Sequence, residues 1–97
     1  MSLLLSIINI AYGNTSILLL GDSLSASYGM KENQGWVYNL NERLITENKD
    51  YKIVNASISG ETTAGGLSRI EGILSKSKID YLIIELGGND GLRGFNP

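Results

Sequence analysis

A chain of 97 residues with 42% apolar and 19% charged residues has the make-up of one small globular domain, not of a disordered segment. Its net charge of −2, without a cluster of Lys and Arg, argues against a nucleic-acid partner. There is no cysteine, which excludes disulfides, thiol chemistry and cysteine-ligated metals, and no histidine, the usual base for a serine nucleophile.

Residues 1–13 are apolar, without a charged side chain, and too short to cross a bilayer as a helix, so no stable membrane span is expected. They read as the apolar region of a secretory signal peptide, with Ala11 and Gly13 at the −3 and −1 places of a cut after Gly13. That reading makes the protein exported, periplasmic or secreted. The segment has no Lys or Arg, so the basic start of such a signal is missing; a first strand or helix packed on the domain is the alternative. Residues 14–97 form the domain.

Ile17-Leu18-Leu19-Leu20, closed by Gly21, is a continuous apolar run that predicts a strand over Thr15–Leu20 buried on both faces. A Ser- and Gly-rich loop follows over residues 21–33. Trp36, Leu40 and Leu44, with Val37 and Ile45 beside them, make one apolar stripe on a helix of about three turns, with Trp36 in the core and Asn39, Asn41, Glu42 and Arg43 away from it. Asn48-Lys49-Asp50 ends it, and Tyr51 to Asn55 is a second strand. A loop over residues 56–66 leads to a helix on which Leu67, Ile70 and Leu74 share a face, weakened at Gly72 by roughly 1 kcal/mol relative to Ala. Asp80 precedes a third strand, Tyr81-Leu82-Ile83-Ile84, apolar on both faces, which breaks into a loop at residues 87–91. Strands alternating with helices predict a parallel sheet. The loops at 21–25, 56–65 and 87–91 then gather at the carboxyl edge, where open α/β sheets place their chemistry.

Those loops carry the parts of an acyl-transfer site. Ser23 is the candidate nucleophile. Attack on an ester makes an oxyanion that needs donors aimed at the developing charge. Gly60 offers a backbone N–H unobstructed by a Cβ, Asn89 a neutral side-chain NH₂, and Ser23 its own N–H. Each residue alone also fits ordinary turn chemistry. Two other readings remain open: a non-catalytic ligand-binding or interaction module on the same sheet edge, and a metal- or phosphate-dependent receiver-like domain built on Asp22 with Asp90. The second is disfavoured because no further acid stands near Asp22. The nucleophile elbow G-x-S-x-G is not present here, since Ser25 takes the place of its second glycine.

Gly21-Asp22-Ser23-Leu24-Ser25 resembles the first block of the GDSL, or SGNH, hydrolases. Asn55 to Thr62 resembles the second block, with Gly60 as its glycine, and Gly87-Gly88-Asn89-Asp90 the third, with Asn89 as its asparagine. The run Glu85 to Gly94 is similar to the thioesterase I, lysophospholipase and arylesterase branch. The resemblance implies a flavodoxin-like three-layer α/β/α fold and an exported ester hydrolase that needs no metal or other cofactor. Its partner would be a small acyl ester, thioester or lysophospholipid, its nucleophile Ser23 and its oxyanion donors Ser23, Gly60 and Asn89. The family's D-x-x-H block, the source of acid and base, has no match here, so the chain is expected to be the N-terminal half of the domain, truncated after the third strand and inactive alone. In the flavodoxin-like order the first strand lies between the other two and the edge of the third is left open.

Overall fold

The computed structural model describes residues 15–94; the expected export signal over residues 1–13 lies outside the described residues. The first strand, β1 (Thr15–Gly21), runs along the centre of a three-stranded parallel sheet of order β2-β1-β3. On one side it pairs with β2 (Tyr51–Asn55), from Thr15 opposite Tyr51 to Leu19 opposite Asn55. On the other it pairs with β3 (Tyr81–Glu85), from Ile17 opposite Tyr81 to Gly21 opposite Glu85. Asp80 pins the start of this second ladder, accepting from the Ser16 N–H at 2.8 Å while its own N–H reaches the Ser16 carbonyl. Leu18 and Leu19 are wholly buried and Leu20 nearly so, as a continuous apolar run requires.

Side chains alternate across a strand, so Ile17 and Leu19 share one face and Leu18 and Leu20 the other. The first helix, α1 (Trp36–Thr46), covers the Ile17 and Leu19 face, where Val37 and Ile53 complete the core cluster. The second, α2 (Thr63–Lys76), lies across the Leu20 face. A Cβ on Gly66 would come within 2.7 Å of Leu86 Cδ1 and 3.2 Å of Leu20 Cδ2, so the helix approaches the sheet this closely because the residue is glycine. The result is the expected three-layer α/β/α arrangement.

Several local expectations need correction. In α1 the inward residue is Val37, whereas Trp36 is 45% exposed and is not core. Asn41, on the flank thought to be polar, faces the sheet. Its amide donates to the Ile53 carbonyl at 2.9 Å and accepts from the Ile53 N–H at 2.8 Å, satisfying the outer edge of β2 as a further strand would. Helix α2 starts within the expected loop, because the Thr62 hydroxyl caps it by accepting from the Gly65 N–H at 3.2 Å. Leu67 and Ile70 share a face of that helix, both turned to one apolar hollow beside Leu20, although Leu67 stays largely exposed. The loop after β3 winds into a short helix, α3 (Gly88–Leu92), behind Gly87 at φ +122°.

Strand β3 also departs from the buried strand its apolar run suggests: Tyr81, Leu82, Ile83 and Ile84 all stay substantially exposed, Ile84 at 59%. Among the described residues no strand pairs with its outer edge. Beside it Leu20, Leu67, Ile70, Ile84 and Leu86 line an apolar cavity of about 330 Å³. An open apolar edge of this kind invites pairing with another chain. The 97-residue chain is therefore expected to self-associate in sedimentation velocity, and Ile84→Lys to shift it towards monomer; a concentration-independent monomer would contradict this.

Candidate active site

The turn after β1 is built by Asp22. Its carboxylate accepts from the Leu24 N–H at 3.0 Å, and its carbonyl accepts from the N–H groups of Ser25 and Ala26 at 3.1 and 3.0 Å. Asp22 is 4% exposed, so its side chain is spent on shaping the turn. Ser23 sits at the tip, half-buried, and among the described residues neither its N–H nor its hydroxyl has a hydrogen-bond partner. The turn is tied down from below by Glu85 at the end of β3, whose Oε1 accepts from the Ser25 hydroxyl at 2.9 Å and the Asp22 N–H at 3.3 Å.

The loop after β2 continues alongside this turn. Ala56 N–H donates to the Leu19 carbonyl and Ile58 N–H to the Gly21 carbonyl, and the Asn55 amide reaches the Ser25 carbonyl at 2.8 Å. Gly60 lies at φ +83°, a conformation that favours glycine, while a Cβ there would meet nothing nearer than Arg93 at 3.9 Å. Backbone conformation, rather than crowding, accounts for this glycine. Its N–H has no partner among the described residues. Glu61 is held by Arg69, whose guanidinium also donates to the Ala56 carbonyl at 2.7 Å, so one arginine closes the loop upon itself.

From α3, the Asn89 amide donates to the Glu61 carbonyl at 2.9 Å. An NH₂ group has two hydrogens, and this bond occupies one. Asp90, 3% exposed, accepts from the Thr63 N–H at 2.9 Å and the Thr63 hydroxyl at 2.7 Å, locking α3 onto the start of α2. Those two bonds, the hydroxyl's first, hold the Asp90 carboxyl below the usual range against the opposing effect of burial.

The three singled-out residues thus lie on loops that touch. Asn89 bonds to the neighbour of Gly60, and a Cβ on Gly88, the neighbour of Asn89, would lie 3.8 Å from Asp22 Oδ2, beside Ser23. Asp22 and Asp90, the pair weighed for a metal, are each engaged with backbone of their own surroundings, and among the described residues no three acidic side chains gather as a ligand set. Sequence reasoning missed Glu85, Glu61 and Arg69. Of these only Glu85 carried a signal: an acid closing an apolar strand.

A family description of GDSL-like lipases and acylhydrolases matches residues 19–97, a span that includes the turn at Ser23, the Gly60 loop and Asn89. The chain belongs to this family. It is 54% identical over 82 residues to esterase TesA of Pseudomonas aeruginosa and 47% identical over 81 residues to an arylesterase of Vibrio mimicus. It is also 45% identical over 82 residues to thioesterase 1/protease 1/lysophospholipase L1 of Escherichia coli K12. Each match takes in 84% of the chain, but only 41%, 40% and 38% of those proteins, so the chain spans about two fifths of the length of these relatives. Among solved structures, the esterase EstA from Pseudoalteromonas sp., inhibited by monoethylphosphonate, superposes with a TM-score of 0.82 at 48% identity. It is matched over 84% of the present chain and 45% of its own. The crystal structure of TesA gives 0.80 at 52% identity, over 84% and 46%.

The lowered carboxyl of Asp90 has a pH consequence. A carboxyl held below its unfolded value stabilises the fold fully above that unfolded value and loses the contribution as pH falls through the folded one. Asp90→Asn is accordingly expected to be less stable than wild type at neutral pH and to lose less stability on acidification. Urea midpoints by circular dichroism at neutral and acid pH check this; parallel pH dependence in the two proteins would contradict it.

Proposed function

We propose that this chain forms the nucleophile and oxyanion part of a serine ester hydrolase that cleaves carboxylic esters, thioesters or lysophospholipids through an acyl-serine. What supports the reading is that three spare donors lie on loops that touch: the N–H of Ser23, the N–H of Gly60 and one hydrogen of the Asn89 amide. All three are neutral and held by backbone or by a fixed hydrogen bond, which suits stabilisation of charge that appears only during reaction. In the reaction the Ser23 Oγ bonds to the acyl carbon while its proton passes to a base. The carbonyl oxygen takes up the negative charge among the three donors. Collapse of this tetrahedral intermediate breaks the bond to the alcohol or thiol, which leaves with the proton from the base. Water, giving a proton to the base, then attacks the acyl carbon, and the acid departs as Ser23 Oγ regains its proton.

Histidine, the usual base for such a serine, is not among these 97 residues. We assign it, with its orienting acid, to a segment following residue 97, so that these residues make up the N-terminal half of a hydrolase domain with little turnover alone. We read residues 1–13 as part of an export signal, and with it propose an enzyme that acts in the periplasm or outside the cell. The relatives' names as esterases, an arylesterase and a thioesterase support the chemistry. No helix among the described residues is long and apolar enough to cross a membrane.

In the full-length protein, Ser23→Ala is expected to abolish hydrolysis of short p-nitrophenyl esters and labelling by a fluorophosphonate probe. Asn89→Ala is expected to lower kcat by about 10²–10³ with labelling at Ser23 slowed but present. Near-normal turnover by folded Ser23→Ala would show that the nucleophile lies elsewhere, and a failure of wild type to hydrolyse or label would favour a non-catalytic ligand-binding module on this sheet edge.

A further inference from the structure

We propose that Glu85 is the positioning residue of the Ser23 turn, holding from beneath the segment that presents the nucleophile and its N–H. The proposal rests on the hydrolase reading above. Glu85 ends β3, and in the ladder its Cα lies opposite Gly21, the residue that ends β1. From there its side chain reaches past Gly21, and a single oxygen, Oε1, accepts both the Asp22 N–H and the Ser25 hydroxyl. These two residues flank Ser23 on either side, two positions after it and one before. A bond at each end of the four-residue arch Asp22–Ser25 fixes the arch without touching its tip, which leaves Ser23 free for a substrate.

Gly21 supplies the independent observation. A Cβ there would stand 2.9 Å from Glu85 Oε1, 2.9 Å from Ser57 Oγ and 3.0 Å from Ser25 Cβ, and the residue has no positive φ that would explain a glycine by conformation. The missing side chain leaves room for the Glu85 oxygen on one side and for Ser57 and Ser25 on the others, so a Cβ here would displace the Glu85 contact. Ser25 is 2% exposed, so its hydroxyl has no water to replace a lost acceptor. Removing the carboxylate leaves both donors unpaired and the arch free to shift, and displacement of a reacting atom by about 1 Å is enough to cost roughly 10²-fold in rate.

The test is steady-state hydrolysis of a short p-nitrophenyl ester by the full-length protein, together with amide hydrogen exchange at Asp22. Glu85→Ala is expected to lower kcat by about 10- to 100-fold with KM little changed, and to speed exchange at Asp22. Glu85→Gln keeps a carbonyl oxygen that can accept from both donors, so it is expected to recover kcat to within about threefold of wild type. A purely structural role would lower the melting temperature of Glu85→Ala but leave kcat within about twofold well below that temperature, and this result would overturn the proposal. Where Glu85→Ala does not fold, Ser25→Ala reads the same contact; it is expected to lower kcat at constant KM, and unchanged kcat would again overturn it. A wild type that shows no Ser23-dependent hydrolysis sinks the hydrolase reading instead, and Asp22 exchange unaltered by Glu85→Gln and Glu85→Ala alike would then sink the positioning claim on its own.

Discussion

Strand β1 hydrogen-bonds to β2 along one edge and to β3 along the other, and all three run in the same direction. Parallel strands end on the same side, so the segments leaving Gly21, Asn55 and Glu85 have no choice but to emerge together. The pairing is available only to a strand that tolerates burial on both faces, and Leu18, Leu19 and Leu20 meet that condition because none carries a polar side-chain atom. What brings the three loops together is therefore a run of buried aliphatic residues.

Bringing three polar loops to one edge raises a second problem, since backbone donors pulled from water must be paired. Acidic side chains solve it repeatedly. Asp22 takes the Leu24 N–H, Glu85 the Asp22 N–H, and Asp90 the Thr63 N–H, while Arg69 clasps Glu61 and the Ala56 carbonyl. Each bond joins either neighbouring turns of one loop or two loops to each other. Among the described residues the Ser23 N–H and hydroxyl and the Gly60 N–H are left without partners, and so is the buried Ser57 hydroxyl on the loop between them. In a site for charge that develops only in a transition state, donors fixed in advance and not yet satisfied are what the chemistry requires.

Much of this was legible in the residues. The central strand followed from four consecutive aliphatic residues before a glycine, and the parallel sheet from strands alternating with helices. The likeness of three short blocks to one family pointed to the loops that the structure brings into contact. The misreadings have physical causes. Periodicity placed Trp36 in the core and Asn41 outside, but a stripe counted along a helix says nothing about which way the helix is rolled, and an unpaired edge at Ile53 draws an amide more strongly than an indole. The start of α2 was set too late because Gly65 and Gly66 look like loop residues; Gly66 is helical because only glycine lets α2 lie this close to Leu20 and Leu86. An acid closing the apolar run of β3 marks Glu85 as unusual, but its partners lie 60 and 63 residues earlier, and no local pattern names them.

The central claim is that the three loops make one oxyanion site facing Ser23. A crystal structure of the full-length protein after reaction with an alkylphosphonate tests it most directly, because a phosphonyl oxygen stands in for the oxyanion of the tetrahedral intermediate. The account predicts phosphorus bonded to Ser23 Oγ and one of its oxygens about 2.7–3.1 Å from the Ser23 N, the Gly60 N and the Asn89 Nδ2. An adduct at another residue, or a Ser23 adduct whose oxygen is held by none of these donors, would contradict it.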